Sequence, residues 1–153
     1  MKYTLIALVC SLFISCNTDT KTEAPKDFTA ENEKEIKAYI ATNNLTAQRS
    51  DSGLFYTIDA LGSGTQPNTN ANVTVAYKGY FTNSSVFDQS DAEGVSFGLQ
   101  QVIKGWTEGI TYFKEGGTGI LLIPAHLGYG SFDTRGIPGG SVLVFDIHLI
   151  KVN

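Results

Sequence analysis

Apolar and polar positions change their spacing several times along the chain, and each change marks a different kind of segment. A basic start at Lys2 leads into a near-continuous apolar run from Leu5 to Ile14, closed by Ser15 and Cys16. The run is too short to cross a bilayer as a stable helix. A basic start, an apolar centre and a small residue before a cut are the parts of a signal peptide, so residues 1–15 are predicted to be removed. From Asn17 to Asp27 the chain is polar, with Thr18, Thr20, Thr22 and Pro25. It has little to bury, and residues 16–28 read as a flexible tether. Ile36, Tyr39 and Ile40 then recur at helical spacing. Thr29 is placed to cap that helix, and Glu31 and Glu33 lie in its first turn, where the dipole favours negative charge. Glu33 and Lys37 can pair on one face. The helix should end near Asn43-Asn44, and its modest stripe predicts that it lies against a larger body. Residues 29–52 are thus predicted to be a helical extension.

From Gly53 onward the spacing becomes that of short strands. Leu54 to Asp59 is rich in aromatic and β-branched residues. Gly62 to Asn72 is turn-rich. Val73 to Phe81 alternates, with Val73, Val75 and Tyr77 on one face and Thr74, Ala76 and Lys78 on the other. Val86 to Asp88 and Val95 to Phe97 are further short strands. Val102, Ile103, Trp106 and Ile110 recur at helical spacing and predict one short helix, followed by Gly116-Gly117. Gly119 to Ile123 and Val142 to Val152 are the last strands. Mostly antiparallel strands with one short helix over a face make an α+β architecture, with residues 53–153 as its domain.

Composition narrows the function. The net charge is −4 over 153 residues, and no Lys/Arg cluster marks a nucleic-acid surface. Of the two cysteines, Cys10 lies in the predicted signal, so the mature chain has no internal disulfide and must rely on its core. His126 and His148 have no second His or Cys at ligand spacing, so no metal site is expected and both read as structural or surface residues. Gly116-Gly117-Thr118-Gly119 lacks the Lys-Ser/Thr ending of a phosphate loop and reads as a turn into a strand.

Two resemblances add to this. Cys16 directly after Phe13-Ile14-Ser15 resembles the lipobox of bacterial lipoproteins, with Phe13 departing from the usual Leu. That resemblance implies a lipidated Cys16 as membrane anchor; the alternative is an ordinary secretory signal. The second covers about Leu54 to the C-terminus. Val75-Ala76-Tyr77-Lys78-Gly79-Tyr80, Val86-Phe87-Asp88-Gln89-Ser90, Val102 to Gly109, Gly128-Tyr129-Gly130, Ile137-Pro138 and Leu143-Val144-Phe145-Asp146 follow one another as in the FKBP-type peptidyl-prolyl cis-trans isomerases, and the chain resembles that family. The resemblance implies a twisted antiparallel sheet of five or six strands wrapped around one short helix, with the pocket between them. It places Tyr77, Asp88 and Tyr129 at the catalytic positions. Substrate-binding positions fall on Phe87, Phe97, Val102, Ile103, Trp106, Ile137 and Phe145. Trp106 would be the floor, and Tyr77, Phe87 and Phe145 the walls. The Ile103 backbone and the Tyr129 hydroxyl would hydrogen-bond the substrate, and Asp88 would orient the site, for example through Tyr77.

The implied activity is rotation about Xaa–Pro bonds in exported polypeptides, with no cofactor, in a monomer facing the periplasm or cell surface and open to macrolide inhibitors. A proline-binding module of an envelope or motility assembly with little turnover is the alternative, and a holdase chaperone a third. Strand aromatics and Trp106 can equally be plain core, Asp88 a turn acid, and Gly128-Tyr129-Gly130 an ordinary loop. Departures concentrate at the pocket rim. Val95 stands where an aromatic is common, Ser131 to Gly136 carries Phe132 and Arg135 without a histidine, and Gly139-Gly140 follow Ile137-Pro138. The added glycines predict freer backbone at the rim.

Overall fold

The computed structural model describes residues 24–153. The predicted signal segment, Cys16 and most of the predicted tether lie outside the described residues. Elements run in the order α1 (Thr29–Thr42), β1 (Gln48–Arg49), β2 (Phe55–Ala60), β3 (Asn72–Tyr80), β4 (Val86–Gln89), β5 (Val95–Gly98), α2 (Lys104–Gly109), β6 (Gly117–Ile123) and β7 (Leu143–Val152). Among the described residues no helix is long and apolar enough to cross a membrane.

The strands form one antiparallel sheet in the order β1-β2-β6-β7-β3-β4, and β5 also pairs with β3. The six expected strands are present, and the seventh is the two-residue β1, which pairs with β2 through Gln48–Tyr56 and Arg49–Phe55. The centre is the β3–β7 pair, running from Val73–Val152 to Tyr80–Val144 with one register shift between Thr74 and Val75. β4 meets β3 at Lys78–Tyr80 and β5 meets it at Asn72–Val75, so one edge of β3 is shared by two short strands.

Alternation along β6 and β7 divides the apolar residues between two faces. Leu121, Ile123, Leu143, Phe145, Ile147 and Leu149 join the main core with Trp106 and Ile110. Helix α2 packs very close to this face. A Cβ on Gly105 would stand 2.6 Å from Ile123 Cγ2, and one on Gly109 would stand 2.7 Å from Leu121 Cδ1. Leu122, Val144, Phe55 and Val142 point the other way and close over Ile36 of α1.

Two expectations about helix ends are corrected. Thr29 is not a cap but the first helical residue; Asp27 Oδ1 accepts its N–H at 2.9 Å, and Phe28 at the cap position makes no side-chain cap. Helix α2 does not begin at Val102. Val102 and Ile103 are extended, with ψ of 175° and 150°, and the Ile103 carbonyl accepts the N–H groups of Trp106 and Thr107 at 2.9 and 3.1 Å. Both side chains are partly buried against the main core. The Glu33–Lys37 pair forms as expected, at 2.6 Å.

Candidate active site

At the open end of the concave face lies a cavity of about 920 Å³, within the roughly 300–1,000 Å³ range of small-ligand sites. Trp106, on the first turns of α2, is its floor, only 5 % exposed. Tyr77 meets the indole edge-on at 5.0 Å between ring centroids, Phe145 at 5.2 Å, and Phe97 tilted at 5.3 Å. Phe87 meets Phe145 edge-on at 5.5 Å. These rings come from β3, β5, β7, β4 and α2, and the sheet's curvature turns them toward one point. Gly79 makes room for them: a Cβ there would stand 2.7 Å from the Phe145 ring and 2.8 Å from Phe87. The Trp106 Nε1–H is buried with no partner among the described residues. Such a donor costs about 1–3 kcal/mol, and three aromatic contacts of about 0.5–1.5 kcal/mol each are of the size needed to offset it.

Polar groups enter from the rim. Tyr77 donates its hydroxyl to Asp88 Oδ2 at 2.7 Å. Burial, and after it the Asp88 carboxylate, push the Tyr77 hydroxyl up to about 12, so the phenol keeps its proton. Asp88 itself is exposed, as an acceptor open to water must be. Tyr129 stands at the mouth, 36 % exposed. Among the described residues the Ile103 N–H makes no backbone bond, while its carbonyl is taken by α2. Among the described residues no three His, Cys, Asp or Glu side chains converge on one point.

All ten pocket residues expected from the sequence border this cavity, Val102 and Ile137 included. Phe81, Val86 and Gln101 also line it and were not anticipated. Phe81 was legible in principle: it continues the Tyr77–Gly79 side of β3 beyond the strand end and tilts onto Phe87 at 5.0 Å. The rim departures resolve differently. Val95 borders the cavity and is 47 % exposed, so the wall is low there. Thr134, Arg135 and Gly136 reach the cavity, whereas Phe132 is not in its lining and is exposed. Gly139 and Gly140 are not freer backbone. A Cβ on Gly139 would overlap the Ser131 carbonyl, its N–H is held by Asp133 Oδ1 at 2.8 Å, and Gly140 lies beneath the Phe28 ring at φ +78°. They are glycines because the backbone is close-packed and, at 140, left-handed. His126 is structural, its ring nitrogen 2.9 Å from the Ser52 carbonyl.

A short helix on the concave face of an antiparallel sheet, with an aromatic cavity between them, defines the class. The sequence profile of the FKBP-type peptidyl-prolyl cis-trans isomerases matches residues 63–150, and the chain belongs to that family. It is 36 % identical over 140 residues to the FKBP-type peptidyl-prolyl cis-trans isomerase FkpA of Aeromonas hydrophila, covering 89 % of this chain and 52 % of that protein. It is 39 % identical over 127 residues to FkpA of Escherichia coli K12, covering 80 % and 47 %. The chain thus spans about half the length of these curated relatives. Among solved structures, Escherichia coli FkpA superposes with a TM-score of 0.73 at 38 % identity, covering 82 % of this chain and 61 % of that one. A peptidyl-prolyl cis-trans isomerase of Pseudomonas syringae pv. tomato superposes with a TM-score of 0.70 at 30 % identity, covering 86 % and 98 %.

Proposed function

We propose that the protein catalyses rotation about Xaa–Pro peptide bonds in polypeptides of the bacterial cell envelope. The observation that carries this reading is the cavity floored by Trp106 and walled by Tyr77, Phe87 and Phe145. An Xaa–Pro bond rotates slowly because amide resonance sets a barrier of roughly 18–20 kcal/mol. Rotation makes and breaks no covalent bond. The site needs only to bind the twisted amide better than the planar one. Twisting breaks resonance and lowers the polarity of the carbonyl, and an aromatic cavity favours that less polar state while gripping the prolyl ring.

In this reading the Ile103 N–H and the Tyr129 hydroxyl hold the peptide's carbonyls. Tyr77 acts as a wall whose hydroxyl is fixed by Asp88, and Asp88 orients rather than attacks. Phe97, Val102, Ile137 and Phe145 fix the residues around proline. Binding of macrolide inhibitors in the same cavity belongs to this reading. The division into a signal over residues 1–15, a tether to 28, an extension to 52 and an isomerase domain to 153 belongs to this proposal. So do lipidation of Cys16, a monomeric state, and a position facing periplasm or cell surface. Slow prolines limit the folding of exported proteins, which gives an envelope isomerase its clients.

The test is a protease-free isomerisation assay over a series of Xaa–Pro peptides, with Tyr129→Phe and Asp88→Ala alongside. Catalysis that weakens in both variants is expected. A folded protein that binds the peptides with no acceleration would overturn the reading in favour of a proline-binding module.

A further inference from the structure

Asn32 of α1 hydrogen-bonds the cavity's rim loop from outside. It is only 1 % exposed, and both ends of its amide are used. Oδ1 accepts the Ala125 N–H at 2.8 Å, across 93 residues of sequence, and Nδ2 donates to the Gly140 carbonyl at 2.8 Å, across 108. Ala125 and Gly140 are the two ends of the loop that carries Tyr129, Arg135 and Ile137. Inside the loop, the Gly130 N–H donates to the Ala125 carbonyl at 2.8 Å, and the Gly140 N–H donates to the Gly130 carbonyl at 2.9 Å.

These links close a ring that runs from Asn32 to Ala125, Gly130, Gly140 and back to Asn32. Tyr129 immediately precedes the Gly130 corner, and residues 131–139 hang between the corners at 130 and 140. Three members of the ring are backbone and one is a side chain. The amide has only one orientation that serves, because Ala125 offers a donor and Gly140 an acceptor. Both corners are left-handed glycines, Gly130 at φ +82° and Gly140 at φ +78°.

We propose that Asn32 is a positioning residue of the isomerase site, setting the height and angle at which Tyr129 and Ile137 face the Trp106 floor. Apolar packing by its neighbour Ile36 anchors α1 to the sheet but specifies nothing about the loop, since burial is not directional. Loss of the Asn32 amide leaves two buried backbone groups unpaired, and the loop must shift to satisfy them. The proposal rests on the isomerase reading for its kinetic readout.

The experiment uses the full chain with Asn32→Ala, Asn32→Asp and Ile36→Ala, each studied at a temperature where circular dichroism shows it folded. Asn32→Asp keeps the acceptor for Ala125 but faces the Gly140 carbonyl with a second acceptor. Both Asn32 variants are expected to lower kcat about tenfold, with a smaller change in KM, because misplaced binding groups lose most in the transition state. Ile36→Ala is expected to melt earlier and keep wild-type kcat and KM. Wild-type kcat in folded Asn32→Ala, or an equal kcat loss in Ile36→Ala, overturns the proposal. Hydrogen exchange at the Gly130 and Gly140 N–H groups is read in parallel. Faster exchange in the Asn32 variants alone supports the ring, and unchanged exchange overturns it. Should the wild type fail to isomerise any peptide, only the isomerase reading falls, and exchange decides the positioning role.

Discussion

The concave and convex faces of this sheet are built from the same strands and finished in opposite ways. On the convex side Leu122 and Val144 are fully buried beneath Ile36 of α1, with Phe55 beside them. On the concave side α2 seals one end, but at the other the apolar surface stays open, with Val86 46 % and Val95 47 % exposed at the rim. Aliphatic side chains fill space by interdigitating. Rigid aromatic rings meeting edge to face leave a gap between them, and here the gap is the cavity. The strand period of two lets one strand serve both ends: Leu121 and Leu122 are neighbours in sequence and lie in different cores. The closed face supplies stability, and the open face leaves some apolar burial unmade.

The largest effect expected is at the floor. Trp106→Ala should cost about 3–5 kcal/mol of stability, as loss of a large aromatic does, and should abolish isomerisation even in the fraction that stays folded. Denaturant melts and rate measurements on the same samples check both. On the convex side Leu122→Ala should cost about 2–5 kcal/mol and leave kcat/KM of the folded protein at wild type. If Leu122→Ala impaired catalysis as much as stability, the division between the faces would not hold.

A smaller effect is expected at Tyr77. The Tyr77→Phe variant removes the bond to Asp88 and should lose about 0.5–1.5 kcal/mol of stability. The wild-type hydroxyl, pushed up by burial and by Asp88 to about 12, binds its proton more tightly folded than unfolded, where such groups titrate near about 10. Its contribution is therefore fully present below about pH 10 and is lost as pH rises toward about 12. A melting profile of wild type against Tyr77→Phe should run parallel below that window and converge within it. Convergence at neutral pH would contradict the assignment.

Most of the sheet was legible because strands with one buried face alternate openly: Val73, Val75 and Tyr77 in β3 could be assigned without a structure. The pocket residues were legible through family motifs rather than periodicity, since a strand aromatic that lines a cavity looks the same in sequence as one that fills a core. What stayed hidden depends on distant partners. β1 is two exposed polar residues that form a strand only because Phe55 and Tyr56 lie alongside. Asn32 interrupts a weak stripe, and nothing local shows that its amide meets Ala125 and Gly140. The spacing of Val102 and Ile103 fits a helix as well as the extended approach they adopt, because short apolar runs carry too few positions to fix a period. At Thr29 the expected cap is absent: Thr29 is already helical, and it is Asp27, two residues earlier, that accepts its N–H.

Ligand is expected to enter the open face and leave the closed one untouched. The most direct measurement is a nuclear magnetic resonance titration of the protein with a short proline-containing peptide, following backbone amides and the Trp106 indole N–H. Shifts are expected at Trp106, Ile103, Phe87 and Tyr129, with Ile36, Leu122 and Val144 unmoved at saturation. Shifts centred on α1 and the convex strands, with the Trp106 indole unmoved, would contradict it.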